Sequence, residues 1–344
     1  MIKVGILGAT GYTGAELLRL LVKHPEVKIL WLTSEKFSGK RISDVFPQFR
    51  GFVDLECTKV AHLEELDTVD IAFSCLPNGI SMHFVKKLID SGTKVIDLSA
   101  DFRLRDEKLY ESTYGVKHPY KELLGEAVYG LPEIHRESIK EAKLVTNPGC
   151  FSTTLILGIA PLLSEGLING EFLIVDSKCG ISGKGRAPLP TNLFCEVKES
   201  VSVHGLEGHN QKYEMEKEII DITGYYIPVT FISHTIPINR GILTTVYVPL
   251  KTEKNYEHIK DLYKSYYRER PFIRIYESGK LPELKSVSFS NFCDIGFGLY
   301  DNVFVCVVAI DNLGKGASGQ AVQNMNIMFD FPENEALRYP GIYP

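Results

Sequence analysis

The strongest constraint on the fold lies at the start of the chain. Residues 2–7, Ile-Lys-Val-Gly-Ile-Leu, read as a strand, and Gly8-Ala9-Thr10-Gly11-Tyr12-Thr13-Gly14 follows without a gap. Residues 15–23 then read as a helix with Leu17, Leu18, Leu20 and Leu21 on its apolar face. A glycine-rich turn between a strand and a helix brings backbone N–H groups close to a pyrophosphate at the helix N-terminus. The spacing is G-x-x-G-x-x-G, one residue longer between its first two glycines than the dinucleotide fingerprint. A glycine pattern alone is weak; its place inside a strand–turn–helix gives it force.

A second strand is expected over 28–33. Enzymes that use NAD carry an acidic residue near that point to bind the ribose hydroxyls. This chain has Ser34, then Glu35, with Lys36, Lys40 and Arg41 close behind. Small and basic residues there suit the additional phosphate of NADP; the other reading is a solvated loop, and the sequence leaves both open. Further strands are expected at 69–75 and 94–99 with a helix over 81–91 between them. That alternation predicts a parallel, doubly wound α/β sheet, with ligands beyond the carboxyl ends of its strands. Leu76-Pro77-Asn78-Gly79 and Ala100-Asp101-Phe102-Arg103 fall at such ends. Arg103 there either holds an anion or pairs with Asp101 on the surface.

Leu144-Val145-Thr146 reads as a short buried strand, and Asn147-Pro148-Gly149-Cys150 follows it. Pro148 cannot donate a ladder bond and Gly149 permits an unusual backbone angle, so a sharp turn is expected. Apolar residues at helical spacing continue to Leu163, which places Cys150 in the first turn of a helix. Free N–H groups and the positive dipole end favour an anion in that position, and the thiolate is the nucleophilic form of cysteine. A lone cysteine is more often a buried small hydrophobe. Strand, Pro-Gly turn, cysteine and helix together favour the nucleophile.

After Cys150 the pattern changes to longer strands rich in Thr, Val and Ile, at 172–178, 229–237, 242–248 and 303–310. Helices over 209–223 and 256–268 interrupt them. This predicts an α+β second domain, a largely antiparallel sheet covered by helices on one face. Two glycine-rich loops stand out, one over 179–186 and one over 311–326, the latter leading into a C-terminal helix whose small residues suit close packing. A net charge of −5 argues against nucleic acid or an anionic membrane as partner. No apolar run approaches the roughly 20 residues of a membrane span, and the chain opens on a strand rather than a signal peptide. Seven cysteines, an odd number with no Cys-x-x-Cys pair, fit free thiols in a reducing cytoplasm and no zinc site.

Read together, these motifs make the chain resemble the N-acetyl-gamma-glutamyl-phosphate reductase family, related to aspartate-semialdehyde dehydrogenase, along essentially its whole length. The resemblance rests on GATGYTG at 8–14, SADFR at 99–103, YGLPE at 129–133 and NPGC at 147–150. It continues through GISGKGR at 180–186, PINRGILTT at 237–245 and DNLGKGASGQAVQNMN at 311–326. One stretch departs. The family usually reads His-Arg-His-x-Pro-Glu where this chain has His209-Asn210-Gln211-Lys212-Tyr213-Glu214, so the second histidine is glutamine.

The resemblance implies a Rossmann-type NADP-binding domain over 1–149, completed by a C-terminal helix at 315–344, and a catalytic and oligomerisation domain over 150–314. It implies NADPH-dependent reduction of N-acetyl-glutamyl phosphate to the semialdehyde, in arginine biosynthesis, by a homodimer or homotetramer without a metal. Cys150 and His209 are the expected catalytic pair, with His204 the competing histidine. Cofactor contacts are expected from Gly8, Thr10, Gly11, Tyr12, Thr13, Gly14, Ser34 and Arg41, and from Ser182, Gly183 and Asn312 in the later loops. Substrate contacts are expected from Arg103 and Asn147, with Arg186 and Arg240 as unassigned partners for the carboxylate. Two other readings stand beside this one: a reductase of a related acyl phosphate (aspartyl phosphate or a carrier-bound lysine-pathway analogue), and a non-catalytic NADP-binding sensor.

Overall fold

The N-terminal strand seeds a wholly parallel sheet. It comprises β1 (Ile2–Leu7), β2 (Val27–Thr33), β3 (Cys57–Thr58), β4 (Ile71–Ser74), β5 (Lys94–Asp97), β6 (Val128–Tyr129) and β7 (Leu144–Thr146). Their order is β3-β2-β1-β4-β5-β7-β6, and each pairing is parallel. The order reverses between β1 and β4, the switch point at which doubly wound sheets open a crevice beyond the carboxyl ends. β4 and β7 are buried along their whole length, as expected of strands covered on both faces. The computed structural model describes residues 1–252 and 254–342. The chain divides into two compact units, the first being Met1–Pro148 with Ala317–Arg338, the second Gly149–Gly316 with Tyr339–Pro344.

The turn after β1 is tighter than its glycine spacing suggests. Gly8 has φ +75°, and a Cβ there would lie 2.7 Å from the Cys75 carbonyl oxygen. Gly11 (φ −74°, ψ 168°) already caps the helix Tyr12–Leu21, which begins three residues before the expected start at 15. Gly14 is inside that helix, where a Cβ would come within 2.6 Å of the Gly8 oxygen and the Ala9 Cα. The glycines therefore serve close approach as much as conformation.

The expected C-terminal helix over 315–344 is much shorter. A π-turn, Gly314–Ser318, leads into the helix Gly319–Met328; the chain beyond is irregular, and residues 343 and 344 lie outside the described residues. Every residue of Gly319–Met328 is buried, Gln320, Gln323, Asn324 and Asn326 included. In the first unit this helix packs on the helices Tyr12–Leu21 and Pro132–Glu141. The NH2 groups of its amides find acceptors there: Gln320 and Asn324 donate to the Gly130 carbonyl at 2.7 and 2.9 Å. Buried amides need such partners, since an unpaired one costs about 1–3 kcal/mol.

The second unit holds a mixed sheet of β8 (Leu173–Gly180), β9 (Ser202–His204), β10 (Val229–Ile236), β11 (Ile242–Pro249), β12 (Ile273–Ile275), β13 (Cys293–Tyr300) and β14 (Val303–Ile310). The order is β12-β13-β14-β11-β8-β10-β9. β8 with β10 and β12 with β13 are parallel, and the other pairs are antiparallel. The helix Cys150–Ser164 lies against β11 and β14 and is flanked by the helix Asn210–Thr223. Phe151 through Leu163 are all buried, which explains an apolar run with no polar face. At about 1.5–3 kcal/mol for each large apolar side chain, burial of this helix contributes substantially to the cohesion of the unit.

A test of the first turn is Gly14→Ala. The atoms that an alanine Cβ would strike belong to the backbone of the same turn, so they cannot rotate away. The substitution should lower stability by about 1–3 kcal/mol, read as an earlier midpoint in urea unfolding. An unchanged midpoint would mean that the turn rearranges freely.

Candidate active site

Cys150 is the first residue of the Cys150–Ser164 helix, and Gly149 is its cap at φ −66°, ψ 145°. That conformation is open to any residue, so the expectation of an unusual angle at Gly149 is corrected. Glycine is required for space instead. A Cβ at Gly149 would run into the Gln211 side-chain amide and come within 2.8 Å of Glu214 Oε2. Gly316 is equally confined, since a Cβ there would lie 2.9 Å from the Cβ of Cys150. Desolvation pushes the Cys57 thiol up to about 11 and raises Cys75, Cys179 and Cys306, although Cys75 is half-buried. Cys293 is buried too, Cys195 is exposed, and Cys150 is half-buried at a helix start.

The helix Asn210–Thr223 clamps that start. Gln211 Oε1 accepts the N–H groups of Phe151 and Ser152 at 3.0 and 3.2 Å, and Glu214 Oε1 accepts that of Gly149 at 2.7 Å. Glu214 is buried. His209 caps the clamping helix itself: its Nδ1 accepts the Gln211 N–H at 3.2 Å. The imidazole sits edge-on between Phe151 and Phe231, with ring centroids 5.5 and 5.1 Å away. Burial, and then the neighbouring His204, hold its pKa below the usual 6.5. With Nδ1 accepting, the neutral ring carries its proton on Nε2 and presents a donor. His204 ends β9, and burial followed by the Lys184 charge lowers its pKa as well.

In the first unit, Gly8, Thr10, Gly11, Tyr12, Thr13 and Gly14 form one turn. Gly8 donates to Thr33 Oγ1 at 3.1 Å. The helix that follows has no side-chain cap and no acidic residue in its first turn. An anion there meets an uncompensated positive end, so these residues fit a dinucleotide pyrophosphate. Ser34 is buried, 2.7 Å from Thr10 Oγ1, and accepts the Phe37 N–H. Glu35 turns away to accept the Val60 N–H at 2.9 Å. Arg41 pairs with Asp54 at 3.1 Å, with both side chains largely exposed; such pairs are worth about 0–1 kcal/mol.

Arg103 lies within electrostatic reach of Asp101, and main-chain carbonyls fix its guanidinium. Asp101 accepts the Gly79 and Met82 N–H groups, while Arg103 donates to the carbonyls of Asn147 and Leu98 at 2.9 and 2.8 Å. Two main-chain contacts aim its guanidinium just past the carboxyl ends of β5 and β7. Asn147 is a structural knot, donating through Nδ2 to Ala317 O and accepting from Asn324 through Oδ1. Arg240, in the second unit, is held to the fully buried Asp311 at 2.9 Å and stacks on Phe289. Arg186 and Gly183 are exposed in the loop after β8, where Ser182 accepts from Asn312 Nδ2 at 2.9 Å.

Sequence reading therefore named the cysteine and the histidine but not the clamp. Gln211 appeared only as a departure, and Glu214 only as part of a motif. Asp311, which also accepts the Leu313 and Gly314 N–H groups, gave no signal beyond its place before a glycine-rich loop.

Comparison with known proteins follows the same division. Residues 3–142 match the family model described as semialdehyde dehydrogenase, NAD binding domain, and residues 150–312 the one described as semialdehyde dehydrogenase, dimerisation domain. Proteins named N-acetyl-gamma-glutamyl-phosphate reductase are similar throughout. The one from Pelotomaculum thermopropionicum is 46% identical over 100% of this chain and 99% of its own. The one from Moorella thermoacetica is 44% identical over the whole of both chains. Among solved structures, aspartate semialdehyde dehydrogenase II from Vibrio cholerae shares the fold, with a TM-score of 0.74 at 19% identity over 96% of this chain and 99% of that one. The aspartate semialdehyde dehydrogenase from Candida albicans, solved with NADP, gives 0.70 at 18% over 96% and 98%. Fold, motif order and full-length similarity agree: the chain belongs to the N-acetyl-gamma-glutamyl-phosphate reductase family, oxidoreductases of the semialdehyde dehydrogenase type.

Proposed function

We propose that the chain reduces N-acetyl-L-glutamyl 5-phosphate to N-acetyl-L-glutamate 5-semialdehyde and phosphate with NADPH, by way of a Cys150 thioester, as a step of arginine biosynthesis in the cytoplasm. The observation that carries this reading is a half-buried cysteine at a helix start, under a clamp whose first residue is a histidine. The first unit serves as the cofactor domain, and the second as the catalytic and oligomerisation domain of a homodimer or homotetramer. Half-exposed Ile232, Leu243, Val305 and Val307 share an open sheet face with exposed Ile174 and Tyr247, a surface suited to a second copy.

Cys150 Sγ, as thiolate, attacks the acyl carbon, and the tetrahedral intermediate collapses with loss of phosphate to leave the thioester. Dividing the reaction this way replaces one difficult step by two easier ones. The Cys150 N–H, at the helix start, is assigned to the oxyanion. His209 Nε2–H donates to the thiolate or to the developing oxyanion. To accept the thiol proton at Nε2, the ring must adopt its other tautomer and release the Gln211 N–H, at a cost of about 1 kcal/mol. Arg103 is assigned to the phosphate, with Asn147 orienting it. Arg186 and Arg240 are the candidates for the carboxylate, and the Asp311 pair makes Arg240 the more fixed of the two.

The turn at Gly8–Gly14 would hold the pyrophosphate, and Ser34 with Arg41 the additional phosphate. When bound, the reduced nicotinamide supplies hydride for the thioester carbon. Ser182, Gly183 and Asn312 are assigned to the cofactor from the second unit. The reading predicts reduction of N-acetylglutamyl phosphate in preference to aspartyl phosphate when the two are assayed side by side.

Cys150→Ser should retain the fold and NADP binding yet form no covalent adduct with labelled acyl phosphate in rapid quench. Full activity in that variant would remove the thioester from the mechanism.

NADPH should bind more tightly than NADH, and the difference should shrink with added salt, because a phosphate contact is screened. Equal affinity at low ionic strength would contradict the roles given to Ser34 and Arg41.

For His209 the sign follows from a lowered pKa. The neutral ring dominates above its folded pKa and is lost as pH falls through it, so kcat/KM should decline on an acidic limb below 6.5. His209→Asn should abolish that limb and reduce turnover by about 10²- to 10⁴-fold with little change in KM. If His204→Asn removes the limb while His209→Asn keeps it, the roles belong to the other histidine.

A further inference from the structure

Gln211 reaches across from the clamping helix to the donors that follow Cys150. The N–H groups of Phe151 and Ser152 are the helix-start donors that follow the nucleophile, and such donors are what lower a cysteine pKa at a helix N-terminus. Gln211 Oε1 accepts both of them, at 3.0 and 3.2 Å, and the Ser152 hydroxyl donates to the same oxygen at 3.5 Å. The amide is fixed at its own root, where the Gln211 N–H donates to His209 Nδ1.

We propose that Gln211 is a positioning residue that sets the thiolate fraction of Cys150, its amide oxygen engaging the donors of the first helical turn so that the resting thiol stays largely protonated. The proposal rests on the preceding reading only in taking Cys150 as the nucleophile. Other titratable groups lie around the thiol: His209 and Glu214 from the clamping helix, Cys179 near the end of β8, and Asp311 and Lys184, whose charges act on Cys179. All of them remain in the chain when residue 211 is substituted, and the backbone N–H at 211 that His209 accepts is kept. A titratable histidine at 211 would couple the donors to pH; the glutamine amide keeps them engaged at every pH at which the chain is folded. Proton traffic at this site then falls to His209 alone.

The experiment measures iodoacetamide alkylation of Cys150 against pH, without substrate or cofactor, by mass spectrometry of its peptide. Exposed Cys195 serves as the internal reference. Gln211→Glu keeps both acceptor contacts and adds a negative charge, so the Cys150 midpoint should rise by about one unit, roughly tenfold less thiolate at neutral pH. Gln211→Ala frees both donors, and its midpoint should fall, with several-fold faster labelling, while Cys195 stays unchanged in each. An unmoved or lowered midpoint in Gln211→Glu overturns the proposal, even if the alanine variant does not fold. Shifts of both variants in one direction also overturn it. Adduct formation with acyl phosphate is measured separately, so failure here leaves the thioester reading intact.

Discussion

The structure of the second unit turns on how the start of one buried helix is satisfied. The Cys150–Ser164 helix is buried from Phe151 to Leu163. Its first N–H groups are therefore supplied with acceptors by neighbouring side chains. Gln211 and Glu214 do so, and the consequences propagate. Their approach excludes a side chain at Gly149, draws Glu214 into a buried position, and aligns the clamping helix so that its cap, His209, lies against Phe151. Cysteine, histidine and amide are thus parts of one helix–helix contact.

The first unit obeys a different constraint, the close passage of backbone past backbone at the end of β1. Gly8 and Gly14 leave no room for a Cβ, and the helix start that follows has no side-chain cap and no acid in its first turn. An unsatisfied positive end is what an anionic cofactor requires. Around β5 and β7, Arg103 is aimed by two carbonyls and Asn147 is tied on several sides. Rigid support of this kind is how a scaffold holds a charged group in place for a ligand.

Much of this was legible in the sequence. The parallel sheet followed from hydrophobic runs alternating with a helix, and β7 and β14 were read to the residue because short buried strands bounded by turn residues have sharp edges. Cys150 and His209 were legible because each sits at a Gly-bounded junction where a helix begins. β9, β12 and β13 were not read, nor the short β3 and β6. Strands of two or three residues carry too little periodicity, and Gly296 and Gly298 interrupt the pattern of β13.

What the sequence alone determined was the kind of protein: a glycine turn for a dinucleotide, a cysteine at a helix start, and the order of motifs that places the chain in its family. Only the tertiary structure decided why Gly149 is glycine, where the final helix stops, and what Gln211 does. Those outcomes depend on atoms brought together from residues tens of positions apart, such as Gly149 with Gln211 and Glu214, or Gly316 with Cys150. Local propensity has no term for them. A conformational reading of Gly149 was reasonable from its neighbours in the chain; the side chains that exclude a Cβ there come from another helix, and their approach becomes visible only once the two helices are packed.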